Sequence, residues 1–166
     1  MRLSAEIRYD AEPERVFAML TDPAFQERKC LATGALKHEV EVEEFDDGGA
    51  TITTRRTMPT DQVPDFVRSF VGPTLLVEQI DDWEGPAGDG SRSGTVVVEI
   101  KGAPVRLTGS LRLAPSGSSP GSVETVDGDL KAAVPLVGGR IEKAVEPALQ
   151  AALRVEQREG RAWLAR

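Results

Sequence analysis

Residues 134–160, "VPLVGGRIEKAVEPALQAALRVEQREG", begin as the end of a strand, pass a Gly-Gly hinge and become a long helical pattern. From about residue 139, Ile141, Val145, Ala148, Leu149, Ala152 and Val155 recur at helical spacing and form one apolar stripe. Much of that stripe is alanine. Small residues either bring a helix close to a sheet or leave a space beneath it, and the stripe fits both. Pro147 lies inside the pattern and is expected to kink the helix, because an interior proline costs ~3 kcal/mol unless the bend is useful.

The segments before this helix read mostly as strands. "RLSAEIRYD" (2–10) alternates Leu3, Ala5, Ile7 and Tyr9 against polar neighbours. "AEPERVFAML" then starts a helix near Pro13, Asp22-Pro23 interrupts it, and "AFQERKCLATG" makes a second helix ending at Gly34. "ALKHEVEVE" (35–43) sets Leu36, His38, Val40 and Val42 on one face. After the "DDGG" turn, "ATITTRRTM" (50–58) returns with Ala50, Ile52, Thr54, Arg56 and Met58 in one phase.

"DQVPDFVRSFVG" (61–72) is a linker or short helix. "PTLLVEQIDDW" (73–83), "TVVVEI" (95–100) and "VRLTGSLRL" (105–113) are three further strands, the first two separated by the flexible loop "EGPAGDGSRSG". The last strand is "SVETVDGDLKAAVPL" (122–136), with Glu124, Val126, Leu130, Ala132 and Val134 on one face.

One strand, two short helices, six strands and a long C-terminal helix make an α+β protein. Short turns imply an antiparallel sheet of about seven strands, whose apolar face needs a cover. Only the long helix is large enough to supply it. At 166 residues the chain is expected to be a single domain, residues 1–166, burying roughly 70% of its unfolded surface.

The formal charge of −7 argues against non-specific nucleic-acid binding. A single cysteine, Cys30, and a single histidine, His38, exclude an intrachain disulfide, a Cys-rich metal site and a His-pair metal motif. Neither a metal nor an organic cofactor is called for. No apolar leader or segment of ~20 apolar residues appears, so stable membrane insertion is not expected and a reducing cytoplasm is the expected address.

The opening strand running into "DAEPERVFAMLTDPAF", the hairpin-rich middle and "VPLVGGRIEKAVEPAL" resemble the helix-grip superfamily. That superfamily is also called START-like, SRPBCC or birch-pollen-allergen-like, and its polyketide-cyclase-like members share the last junction. The chain is similar to an uncharacterised bacterial branch of it. The resemblance covers the whole element order and implies a hydrophobic cavity between a curved sheet and the long helix. Members use that cavity for lipids, sterols, polyketides, hormones or quinones, some as enzymes and others as carriers or sensors.

Several residues could act in such a cavity. His38 shares a face with Leu36, Val40 and Val42. It reads either as a general base or hydrogen-bond donor in the cavity, or as a strand-end histidine reaching solvent or a backbone carbonyl. Arg56 shares a face with Ile52 and Met58, and an unpaired buried charge costs several kcal/mol. It therefore needs a carboxylate such as Glu124 or Glu78, a water-filled cavity or an anionic ligand. A bulge at Arg55-Arg56 that exposes it fits equally.

His38 and Arg56 are the catalytic candidates. Thr54, Met58, Phe66, Phe70, Trp83, Glu124, Val145 and Leu149 join them as cavity candidates, although the aromatic residues and Met58 suit an ordinary core as well. In related folds the segment between the third and fourth strands often gates the cavity, which draws attention to Phe66 and Phe70.

The expected function is binding or transport of a small hydrophobic molecule, by a monomer or homodimer. One alternative is a cyclase- or dehydratase-type enzyme in which His38 moves a proton and Arg56 stabilises an enolate or carboxylate. The other is an association module whose cavity is filled.

Overall fold

The computed structural model describes residues 1–166. Strand β1 (Arg2–Tyr9) leads into α1 (Pro13–Leu20) and α2 (Pro23–Ala32). β2 (Lys37–Glu44), β3 (Ala50–Pro59), α3 (Asp65–Val71), β4 (Thr74–Trp83), β5 (Arg92–Lys101), β6 (Val105–Pro115) and β7 (Ser122–Ala132) follow, and α4 (Gly138–Leu164) ends the chain. The seven strands form one sheet in the order β1-β7-β6-β5-β4-β3-β2, antiparallel throughout. This is the helix-grip architecture that the sequence implies.

Local chemistry sets the element ends. Pro13 and Pro23 open α1 and α2, where a missing amide hydrogen leaves no bond unmade, and the Asp22 carboxylate caps α2 by accepting from the Ala24 amide at 2.9 Å. Gly48 supplies the positive φ of the β2–β3 turn. β7 stops at Ala132, short of the expected Leu136. Pro135 has no amide hydrogen to give a ladder, and Leu136 turns the chain with a φ of 69°.

The inner face of the sheet carries Leu3, Ile7, Val98, Leu107, Leu113, Val126 and Leu130, all buried. α4 packs on β1, β7 and α2, which leaves the inner face of β3 to β6 to be covered differently. The helix runs unbroken from Gly138 to Leu164 through Pro147, which removes the amide that would bond the Lys143 carbonyl. Trp163 closes the far end, edge-on to Phe25 at 5.6 Å between ring centroids.

Gly160 fixes how closely α4 lies on β1. A Cβ there would stand 2.6 Å from Tyr9 Cε1 and 3.1 Å from Met19 Cε. Gly160→Ala, which elsewhere in a helix would stabilise by ~1 kcal/mol, is therefore expected to destabilise by about 1–3 kcal/mol in urea unfolding. A gain in stability would mean that the helix can lift off β1 freely.

Candidate functional site

Between α4, α3 and the inner face of β3 to β6 lies a cavity of about 580 Å³, within the range of small-molecule sites. Of its 31 lining residues 23 are hydrophobic, so it selects for apolar matter. The sheet contributes Met58, Val77, Val98, Ile100, Val105, Leu107 and Leu130, and α3 contributes Val67, Phe70 and Val71. From α4 come Ile141, Ala144, Val145, Ala148, Leu149, Ala151, Ala152 and Val155.

The alanines resolve the ambiguity in the helix stripe. Their side chains end at Cβ, so α4 bridges the sheet without filling the space beneath it. Pro147, Ala148 and Ala151 line the cavity and are also exposed, which opens it along the helix.

Arg56 on β3 stands where the apolar cavity meets a second, smaller pocket of about 50 Å³ that mixes apolar and charged side chains. Into that pocket project Lys29 from α2, Gln79 and Asp81 from β4, Glu124 from β7 and Glu156 from α4. Lys29 Nζ donates to Glu156 Oε2 at 2.8 Å, with both side chains buried. The Gln79 amide donates to both Asp81 oxygens at 3.1 Å. Arg56 Nε, Glu124 Oε2 and the Tyr9 hydroxyl are sealed from solvent and have no hydrogen-bond partner.

This crowding shifts proton affinities. Burial pushes Asp81 up to about 6, with the Lys29 charge holding it back. Glu124 is raised well above the ordinary carboxylate range by burial and then by the charges of Glu156 and Asp81. It keeps its proton where an exposed glutamate has lost it. Burial, then the Glu124 charge, raises the Tyr9 phenol in the same way. Burial lowers Arg56, while burial of Lys29 is outweighed by Glu156 beside it, leaving that ammonium raised.

Of the residues singled out from the sequence, Arg56, Met58, Phe70, Val145 and Leu149 stand on the cavity wall, and Glu124 stands in the adjoining pocket. Four others do not reach the wall. His38 lies opposite Arg56 in the β2–β3 register, but β2 is the edge strand and the histidine is half-buried outside the cavity. Thr54 is buried in the sheet, Trp83 packs edge-on to Phe17 at 6.2 Å, and Phe66 lies under the Arg140 guanidinium at 4.6 Å.

The β2–β3 pairing is continuous through Arg55 and Arg56, so no bulge exposes Arg56. Glu78 faces the outer side, where it accepts from Arg55 at 2.8 Å and pairs with Lys101 at 3.0 Å. It is not a partner for Arg56. Lys29, Gln79, Asp81 and Glu156 went unnoticed in the sequence, although Glu156 continues the α4 stripe one turn beyond Ala152.

A family model described as "Protein of unknown function (DUF2505)" matches residues 4–164. "Uncharacterized protein Rv0481c" of Mycobacterium tuberculosis is 28% identical over 119 residues, which is 72% of this chain and 68% of that protein. Among solved structures, the Zhui aromatase/cyclase of Streptomyces sp. R1128 superposes with a TM-score of 0.56 at 14% identity, covering 96% of this chain and 93% of that one. A START superfamily protein from Mycobacterium smegmatis superposes with a TM-score of 0.54 at 12% identity, covering 94% of each chain. At these identities the likeness is one of fold, and the fold is that of the START superfamily.

Proposed function

We propose that this chain, which belongs to the DUF2505 family, binds a small, mostly apolar molecule between its sheet and α4. The carrying observation is the cavity of about 580 Å³, whose wall is chiefly hydrophobic and which opens beside Pro147 and Ala148. Burying roughly 300 Å² of apolar ligand surface there would contribute about 7 kcal/mol before the entropy of association is subtracted. No helix is long and apolar enough to cross a membrane. A cytoplasmic carrier or receptor for such a molecule is the form this function takes, and the reducing environment suits the buried, unpaired Cys30.

The cyclase-type alternative has His38 moving the proton, and His38 stands outside the cavity wall. An association module with a filled cavity has no support from a space of about 580 Å³. Both alternatives therefore have less support than binding.

The test is titration with N-phenyl-1-naphthylamine, a neutral apolar fluorophore, against the wild type and the double variant Ala144→Phe/Ala148→Phe. Two phenyl rings on the α4 face should fill the cavity, weaken probe binding at least about tenfold and leave Tm unchanged or raised, since apolar area is buried. Equal probe binding by both proteins would place the probe elsewhere and remove the basis of the proposal.

A further inference from the structure

We propose that the molecule held in the cavity is an amphiphile ending in a carboxylate, and that the Arg56 guanidinium receives that carboxylate. This deepens the cavity reading and rests on it. The side chain of Arg56 is the anomaly that points there. It is only 8% exposed, its Nε is sealed without a hydrogen-bond partner, and no carboxylate closes an ion pair with it.

Unpaired cations are not a habit of this fold. Lys29, equally buried, has Glu156 at 2.8 Å. Arg92, also 8% exposed, donates to the Gly48 carbonyl at 2.9 Å and stacks 3.4 Å above the Phe17 ring. Arg92 Nε is sealed without a partner as well, but of these three buried cations Arg56 alone has neither an acceptor nor an aromatic ring for its guanidinium, and it lies on the wall of the space that a ligand would enter.

The neighbouring acids do not discharge it. Lys29 engages Glu156, and Gln79 engages both oxygens of Asp81. These two carboxylates reach Arg56 only as charges acting through space. Glu124 makes no ion pair with Arg56, and burial, then the same two carboxylates, raise its proton affinity. A ligand group that accepts from the guanidinium would satisfy it, whereas an apolar ligand end would seal it in further.

The head group can be narrowed by charge and shape. A guanidinium offers parallel donors that match the two oxygens of a carboxylate. A phosphate monoester would bring more charge, and a phosphate or sulfate ester more acceptor positions, than one arginine can meet, beside Asp81 and Glu156. A hydroxyl or ester would accept one hydrogen bond but leave the charge uncompensated. Apart from Thr33, Asp61 and Gln62 the rest of the wall is chiefly apolar, so one end of the ligand is ionic and most of its body is hydrocarbon.

Competition against bound N-phenyl-1-naphthylamine separates this proposal from the cavity reading. Dodecanoic acid, 1-dodecanol and methyl dodecanoate share a chain and differ in the head. The acid is expected to displace the probe from the wild type at a concentration about 10- to 100-fold lower than the alcohol or ester, the range for a hydrogen bond between charged groups. Arg56→Met should abolish that preference and leave alcohol binding within about threefold, and Arg56→Lys should retain part of it.

Equal displacement by acid and alcohol, stronger displacement by the alcohol, or no displacement by any of the three would overturn the carboxylate assignment while the bound probe still supports the cavity. Failure of the probe and the acid to bind at all would sink the cavity reading and this proposal with it. The comparison of ligands on the wild type decides the matter even if Arg56→Met does not fold.

Discussion

Lys29→Met is expected to destabilise the protein by about 3–5 kcal/mol, measured by urea unfolding at pH 7. Lys29 Nζ and Glu156 Oε2 lie 2.8 Å apart, with side chains only 8% and 10% exposed, and the pair ties α2 to α4. Taking both charges out of water costs several kcal/mol each, so the intact pair contributes little net stability. Removing one partner is a different matter. Glu156 would remain buried near Asp81 and Glu124, two further acids, with Arg56 as the only buried cation of the pocket. Adding Glu156→Leu to Lys29→Met should then recover at least about half of the loss, because an apolar pair of similar volume replaces an orphaned charge. A cost below about 1 kcal/mol for the single variant, or a double variant no better than the single, would show that Glu156 finds another partner or reaches solvent. The adjacent pair of Arg28 and Glu159, at 2.7 Å, is more exposed, and breaking it should cost under about 1 kcal/mol.

The same pair shows where the sequence stops being informative. Strands with one fully apolar face declare their orientation: Leu3, Ile7 and Tyr9 in β1, and Leu107, Leu111 and Leu113 in β6, are buried as their alternation requires. Glu124 and Arg56 were legible as charges on inner faces because apolar residues in phase surround them. β4 gave no such lead. Leu76 and Ile80 compete there with Leu75, Val77 and Trp83, and the face read as inner, with Glu78 on it, is the outer one.

The true inner face of β4 carries Gln79 and Asp81, polar residues that alternation assigns to solvent. Their partial burial follows from the pocket and not from the strand. In α2 the buried positions are Phe25, Gln26, Lys29 and Cys30, half of them polar, so no apolar stripe marks the face. His38 fails for another reason. Phase assigns a side of the sheet but not a position across it, and β2 sits at the edge, beyond the space that α4 spans. A polar cluster assembled from α2, β3, β4, β7 and α4 is a tertiary object, and single-strand patterns carry almost none of it.

Asp81→Asn should remove a large pH-dependent penalty from the same cluster. The Asp81 carboxyl titrates at about 6 in the folded protein against an ordinary 3.8, because burial disfavours its charged form. Between those values the folded state holds the proton and the unfolded state has released it. Its contribution to stability is therefore full below about pH 3.8, falls as pH rises through the interval and reaches its lowest level above about 6. The displacement corresponds to at most about 3 kcal/mol. Other carboxylates act in the opposite sense. Glu78, Asp127 and Glu159 are lowered by hydrogen bonds from cationic neighbours, and their stabilisation is lost on acidification, so the wild-type profile alone is a mixture. The difference between Asp81→Asn and the wild type isolates one carboxyl. Relative to the wild type, the variant should gain about 1–3 kcal/mol between pH 4 and pH 8, with the change centred on the interval below 6. An Asn side chain can still accept from Gln79, and whatever that substitution costs is constant with pH. A difference that stays flat across this range would mean that Asp81 is stabilised by solvent after all. The ligand proposal adds a second reading from the same variant. An ionised Asp81 near Arg56 competes with an incoming carboxylate for its field, so Asp81→Asn should tighten dodecanoic acid binding several-fold at pH 7.5 and leave 1-dodecanol unaffected. A gain with Asp81→Asn ties the head-group site to the Asp81 side of the pocket.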